Sequence, residues 1–190
     1  MTEKTEHNKD IIIAGFRNVQ IENINKFLHE FRRKNIGAAV QFFDAKHVAG
    51  PQHLYFAALN ALKAFERKIN ISNNLAVELL LYASAQRQIT KAVELLGVNQ
   101  GSSEVAALIV ADGNHEKECF LRLVAETVSG ERDDSVLDLT AQKIDGIREL
   151  FQITDTEFEA KLEKQGLEKE ALTDLVIERM ALLGAKGKSV

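Results

Sequence analysis

The chain has 190 residues, of which 45% are hydrophobic and 27% charged, with 24 Lys and Arg against 28 Asp and Glu, one Pro, one Cys and no Trp. That apolar fraction is too high for a disordered chain, and a chain of this length buries most of its apolar surface without disulfides. Cys119, being alone, fits a reducing compartment. The charged Met1–Asp10 segment lacks the apolar stretch of a signal peptide, and the longest apolar runs are too short to span a bilayer, so a soluble, cytoplasmic protein is expected. The net charge of −4 conceals an asymmetry. Residues 1–103 carry 13 basic and 9 acidic side chains, and residues 104–190 carry 11 and 19. The chain as a whole lacks the basic excess of a duplex-DNA binder.

Residues 1–9 read as a disordered tail, and Ile11–Phe16 as a β-branched run that fits a buried strand. A helix from about Ile21 to Lys34 follows, with Ile24, Phe27, Leu28 and Phe31 at helical spacing and Arg32-Arg33-Lys34 near its C-terminus. Gly37 ends it, and Ala39–Phe43 is a second strand. Pro51 opens a helix at the first position, where proline is tolerated, and that helix runs to about Arg67.

Ser72-Asn73-Asn74 offers N-cap chemistry for the helix Leu75–Ala85, which is apolar almost all round except for Glu78 and must therefore be buried. A further helix, Ile89 to Leu96, stops at Gly97; Glu104–Val110 is a third strand, closed by Asp112-Gly113-Asn114. A helix through Phe120, Leu123, Val124 and Val128 is followed by Ser135–Leu139, read as a short fourth strand. Two or three more helices complete the chain, the last from about Glu168 to Leu183, with a frayed tail over 185–190. The expected architecture is α/β: one domain over 10–184, with a small three- to four-stranded mixed sheet and seven to eight helices packed around it.

Enzyme signatures are mostly missing. Gly187-Lys188-Ser189 imitates the end of a phosphate loop, but Leu182 stands where its first glycine belongs and no helix follows. His115-Glu116-Lys117-Glu118-Cys119 breaks the H-E-x-x-H zinc pattern, and the five His residues have no metal-ligand spacing. Cys119 reads as a buried structural cysteine, and Asp133-Asp134 as a turn before a strand. No catalytic residue, cofactor or metal is expected.

Two stretches stand out. In Tyr82-Ala83-Ser84-Ala85-Gln86-Arg87-Gln88-Ile89 an apolar helix runs into small residues that let a ligand approach the backbone. Arg87 and Lys91, at i and i+4, are like charges on one face; either a nearby anion or Glu94 would relieve them. The second stretch, Phe43 to Leu54, places Lys46, His47 and His53 at a helix start, where backbone N–H groups favour anions; equally, His53 could only cap or pack that start.

At these stretches the chain resembles the small kinase-binding subunit of the KEOPS tRNA-modification complex, the family of the PRPK-binding protein, and especially its archaeal members. The matching segments are Asp44-Ala45 to Gly50, His53-Leu54, Asn74 to Ile89, Asp133–Leu137 and Leu175–Leu182, in the right order. Ala85 stands where a Gly is frequent, and the 162–170 region is longer. The resemblance implies a non-catalytic subunit. KEOPS installs threonylcarbamoyl on the adenosine beside the anticodon; a separate transferase subunit performs the chemistry, so contact with it is indirect. The family docks on the small lobe of the complex's kinase/ATPase subunit, and archaeal members also capture the single-stranded 3′-CCA end of tRNA.

On that reading Arg87 and Lys91 would meet phosphates, Gln86 and Gln88 would read base edges, and His53 would stack on a base or bond a phosphate. Ser84, with its small neighbours, would leave room for the terminal nucleotides. On the last helix Ala171, Leu172, Leu175, Val176, Leu182 and Leu183 form a wide apolar arc. Ile177 and Met180, off its centre, would be the partner-binding residues toward the kinase, unless that helix is buried throughout. The alternative is a small-anion-binding enzyme or regulatory module using His53, Arg87 and Lys91; a structural dimerisation domain is a third class.

Overall fold

The computed structural model describes residues 2–4, 9–33, 37–112, 117–165 and 167–185. The chain's contacts group into two compact units of interleaved segments: 1–46 with 97–137, and 47–96 with 138–190.

The first unit holds the sheet. Its strands are β1 (Thr2–Lys4), β2 (Lys9–Arg17), β3 (Ala39–Asp44), β4 (Val105–Asp112) and β5 (Glu131–Arg132), in the order β1-β2-β4-β3 with β5 also on β2. The α/β class holds, but the described pairings are antiparallel rather than mixed. The reason is the place of β4. β2 and β3 run the same way and are joined through helix α1 (Ile24–Arg33), as a parallel pair would be, yet β4 lies between them and opposes both. Ile12, Ala14 and Phe16 alternate along β2 into a core with Phe42, Val105, Ala107 and Ile109. Phe27 and Phe31, one turn apart on α1, pack edge-to-face on Phe42 with ring centroids 5.1 and 4.9 Å away. Helix α5 (Lys117–Val128) adds Phe120, Val124 and Val128.

Local expectations change in three places. The segment expected to be a disordered tail contains β1, which pairs with Asp10–Ile12, and Lys9 already belongs to β2. Cys119 is exposed, not buried. The fourth strand expected at Ser135–Leu139 is a 3₁₀ turn over Asp134–Leu137. Local polar groups win over a ladder there: the Gly15 N–H donates to Asp134 Oδ1 (2.9 Å), and the Asp133 N–H donates to the Gly15 carbonyl (2.9 Å). Asp133 Oδ1 also accepts from the Ser135 N–H (3.0 Å), a side-chain turn that competes with strand pairing. The features read at Lys34, Gly113-Asn114, His115-Glu116 and Gly187-Lys188-Ser189, and at residues 1, 5–8 and 186–190 of the tails, lie outside the described residues.

The second unit is helical: α2 (Pro51–Glu66), α3 (Leu75–Ala83), α4 (Ile89–Leu96), α6 (Ala141–Leu150), α7 (Asp155–Gln165) and α8 (Glu168–Ala185). α2 packs against both α3 and α8, and α7 against α8. Pro51 starts α2 after Gly50, whose φ of 88° a side chain would resist. Asn74 caps α3 by accepting from the Val77 N–H (3.2 Å). Glu78, the lone charge on that apolar helix, is fully buried, and its carboxylate accepts from the backbone N–H groups of Ile71 (2.9 Å) and Ser72 (2.7 Å). Those charge-assisted bonds offset its desolvation and tie the α2–α3 connection down. No helix among the described residues is long and apolar enough to cross a membrane.

Candidate functional site

Two helix ends frame a cleft of about 520 Å³ in the helical unit. At the end of α3 the chain turns through Ala85, whose φ is 51°. The Ala85 N–H donates to the Tyr82 carbonyl and the Gln86 N–H to the Leu81 carbonyl, the paired bonds of a Schellman end. At the end of α6 Gln152 takes the same role, with φ 54°, its N–H on the Glu149 carbonyl and the Ile153 N–H on that of Arg148 (2.8 Å). Both turns use a non-glycine residue in the left-handed region, and both turn residues line the cleft.

The run that stands out in the sequence supplies one side of it. Ser84, Gln86, Arg87, Gln88 and Lys91 all line the cleft, with Gln86 half-buried and Arg87, Gln88 and Lys91 exposed. Ser84 contributes little chemistry of its own: it is buried, and its hydroxyl is shared between the carbonyls of Leu80 (2.8 Å) and Leu81 (3.2 Å). Arg87 Nη1 reaches the Leu183 carbonyl (3.5 Å) in the last turn of α8, where a cation is favoured by the helix dipole. The opposite side comprises Leu150, Phe151 and Gln152 at the end of α6, which no sequence pattern marks, and Arg179, Leu182 and Leu183 on α8. Among the described residues, three cations and no carboxylate line the cleft, beside amide and apolar side chains.

His53 does not line it. It is completely buried on α2, its Nδ1 accepts from the Ala49 N–H (3.1 Å) and its Nε2 donates to the Ala83 carbonyl (2.8 Å). The ring stands edge-on to Phe151, with centroids 5.5 Å apart. Burial pushes its pKa down to about 4, against a smaller upward pull from the Ala83 carbonyl. A neutral imidazole with both nitrogens engaged neither stacks on a base nor bonds a phosphate, so the packing reading of this residue is the one that fits. The same loop is held from its other side, because Thr173 Oγ1 on α8 donates to the Ala49 carbonyl (3.1 Å).

The pair read as facing a partner divides. Met180 is fully buried and offers no contact surface, whereas Ile177 is half-buried. Leu182, assigned to the apolar arc, is 52% exposed and borders the cleft. α8 is thus buried on most of its faces, with Glu178, Ala181 and Leu182 left exposed near its end.

Residues 16–184 match the family model described as "Kinase binding protein CGI-121". The chain is also 33% identical over 165 residues to the "Regulatory protein Cgi121" of Methanocaldococcus jannaschii, a match that covers 87% of this chain and 98% of that one. By both measures, and along nearly its whole length, the chain belongs to the CGI-121 family.

Proposed function

We propose that the chain is a cytoplasmic, non-catalytic KEOPS subunit that binds the complex's kinase/ATPase subunit and holds the single-stranded 3′-CCA end of tRNA in the cleft. The modification served is threonylcarbamoylation of the adenosine next to the anticodon, with the transferase subunit engaged only indirectly. The family's description as kinase-binding supports the first half. The composition of the cleft supports the second: Arg87, Lys91 and Arg179 border the same space as Gln86, Gln88 and Gln152, with Leu182 as exposed apolar surface. Single-stranded nucleic acid calls for this combination, cations for phosphates, amides for base edges and apolar faces for bases. A short strand fits such a cleft better than a double helix, whose stacked base pairs would keep the base faces out of reach.

The test compares a tRNA transcript with its 3′-CCA intact with the same transcript trimmed of it. Tight, salt-sensitive binding to the first and weak binding to the second is expected. Arg87→Glu should bring the intact transcript down to the level of the trimmed one while the fold is kept, since Arg87 is exposed. Equal binding of both transcripts by the unaltered protein would refute end capture. Competition by inorganic phosphate at low millimolar concentration, with no preference for RNA, would instead indicate a small-anion module. For the kinase contact, Ile177→Glu should weaken co-purification with the kinase/ATPase subunit.

A further inference from the structure

Building on the end-capture reading, we infer that Arg179 is a third phosphate-binding cation of the cleft, held in place by Glu157 and acting on the ligand directly. The guanidinium has five N–H donors in a fixed plane. Arg179 Nε donates to the Phe151 carbonyl (3.4 Å), and Nη2 donates to the Gln152 carbonyl (3.3 Å) and to Glu157 Oε1 (2.7 Å). Nη1 has no hydrogen-bond partner among the described residues, and the side chain, 30% exposed, borders the cleft.

Bonds of 3.3 and 3.4 Å lie beyond the usual N–H···O range, whereas the Glu157 contact lies at its short end. Glu157 is therefore the anchor. Its other oxygen, Oε2, accepts from the Thr154 N–H (2.9 Å) and hydroxyl (3.0 Å), and the Glu157 N–H donates back to Thr154 Oγ1 (3.3 Å). This capping box at the start of α7 fixes the carboxylate, and the carboxylate fixes the plane of the guanidinium. An arginine so held loses little side-chain freedom when it meets an anion, which a lysine in the same place would not match. With Arg87 and Lys91, it makes three cations around one cleft, and Glu157 offsets one of them.

The experiment is a salt titration of tRNA binding with the full-length chain, comparing the unaltered protein, Arg179→Gln and Arg179→Lys. Arg179→Gln should weaken binding of the intact transcript about tenfold or more. It should also lower the slope of log K against log salt by about 0.7, the loss of one phosphate contact on a single strand. Arg179→Lys should keep the slope while losing part of the affinity. An affinity loss with an unchanged slope in Arg179→Gln, or no loss at all, overturns the assignment. If Arg179→Gln does not fold, the Nε–H NMR resonance of Arg179, identified by its absence in Arg179→Lys, must shift when a CCA trinucleotide is added to the unaltered protein. An unmoved resonance overturns it equally. If the unaltered protein does not distinguish the intact from the trimmed transcript, the end-capture reading falls and takes this one with it; a protein that distinguishes them without needing Arg179 removes this inference alone.

Discussion

His53 should make the stability of the protein fall with acid in a window set by that one side chain. Its pKa drops from 6.5 in the unfolded chain to about 4 in the fold, chiefly because burial disfavours the imidazolium. Protonation would also place a second N–H on Nδ1, facing the Ala49 N–H that now donates to it. Because the folded value is the lower one, the unfolded chain takes up its proton first as pH falls. The contribution is therefore complete above pH 6.5, shrinks between 6.5 and about 4, and is gone below. The gap between the two values corresponds to about 3 kcal/mol, of which about 2 kcal/mol disappears between pH 7 and pH 4.5. Urea unfolding at these two pH values, on the unaltered protein and on His53→Gln, isolates the effect. Carboxylates contribute alike to both proteins, and glutamine offers an acceptor and a donor in place of the two ring nitrogens. The unaltered protein should lose about 2 kcal/mol more than the variant over this range. Parallel losses would show that His53 titrates normally, and the buried, doubly bonded neutral ring would be the wrong description.

Three other substitutions probe the frame of the cleft and the sheet. Ala85→Gly should stabilise the protein by about 0.5–1 kcal/mol in urea unfolding, since it removes the left-handed strain at φ 51°, less the added freedom of the unfolded chain. Glu78→Gln should cost about 2 kcal/mol and speed amide hydrogen exchange at Ile71 and Ser72, whose N–H groups lose a charged acceptor; unchanged exchange there would count against the clamp. Gly15→Ala should lower the melting temperature markedly. Its new methyl would lie 2.5 Å from the Asp133 carbonyl oxygen and 2.6 Å from Val136 Cγ2, and the first of these is backbone that cannot rotate away.

What the sequence discloses follows the range of the forces concerned. Helices and strands with a local signal, such as Pro51–Glu66 and Val105–Asp112, are legible because their apolar residues recur or run together along the chain. The antiparallel sheet is not, because the insertion of β4 between β2 and β3 is decided by contacts between distant segments. Ser135–Leu139 has strand-forming residues, but Asp133 and Asp134 just ahead of it make bonds to Gly15 that no window of the sequence displays. The cleft is half legible for the same reason. Ser84 to Lys91 is one continuous run, whereas Gln152 and Arg179 reach it only through folding. His53 misleads because a histidine at a helix start looks like an anion ligand; its partner, the Ala83 carbonyl, is 30 residues away.

The interleaving of the two units bears on the order in which the protein comes off the ribosome. All the described strands have been made once residue 137 is complete, while the cleft still lacks the helix that carries Arg179, Leu182 and Leu183. α2, made early, must wait more than a hundred residues for α8, against which it packs, and closing so long a loop is slow. A chain made only as far as α7 would thus carry every described strand and still lack the Arg179, Leu182 and Leu183 side of the cleft, so the cleft is a late product of synthesis although the sheet is an early one.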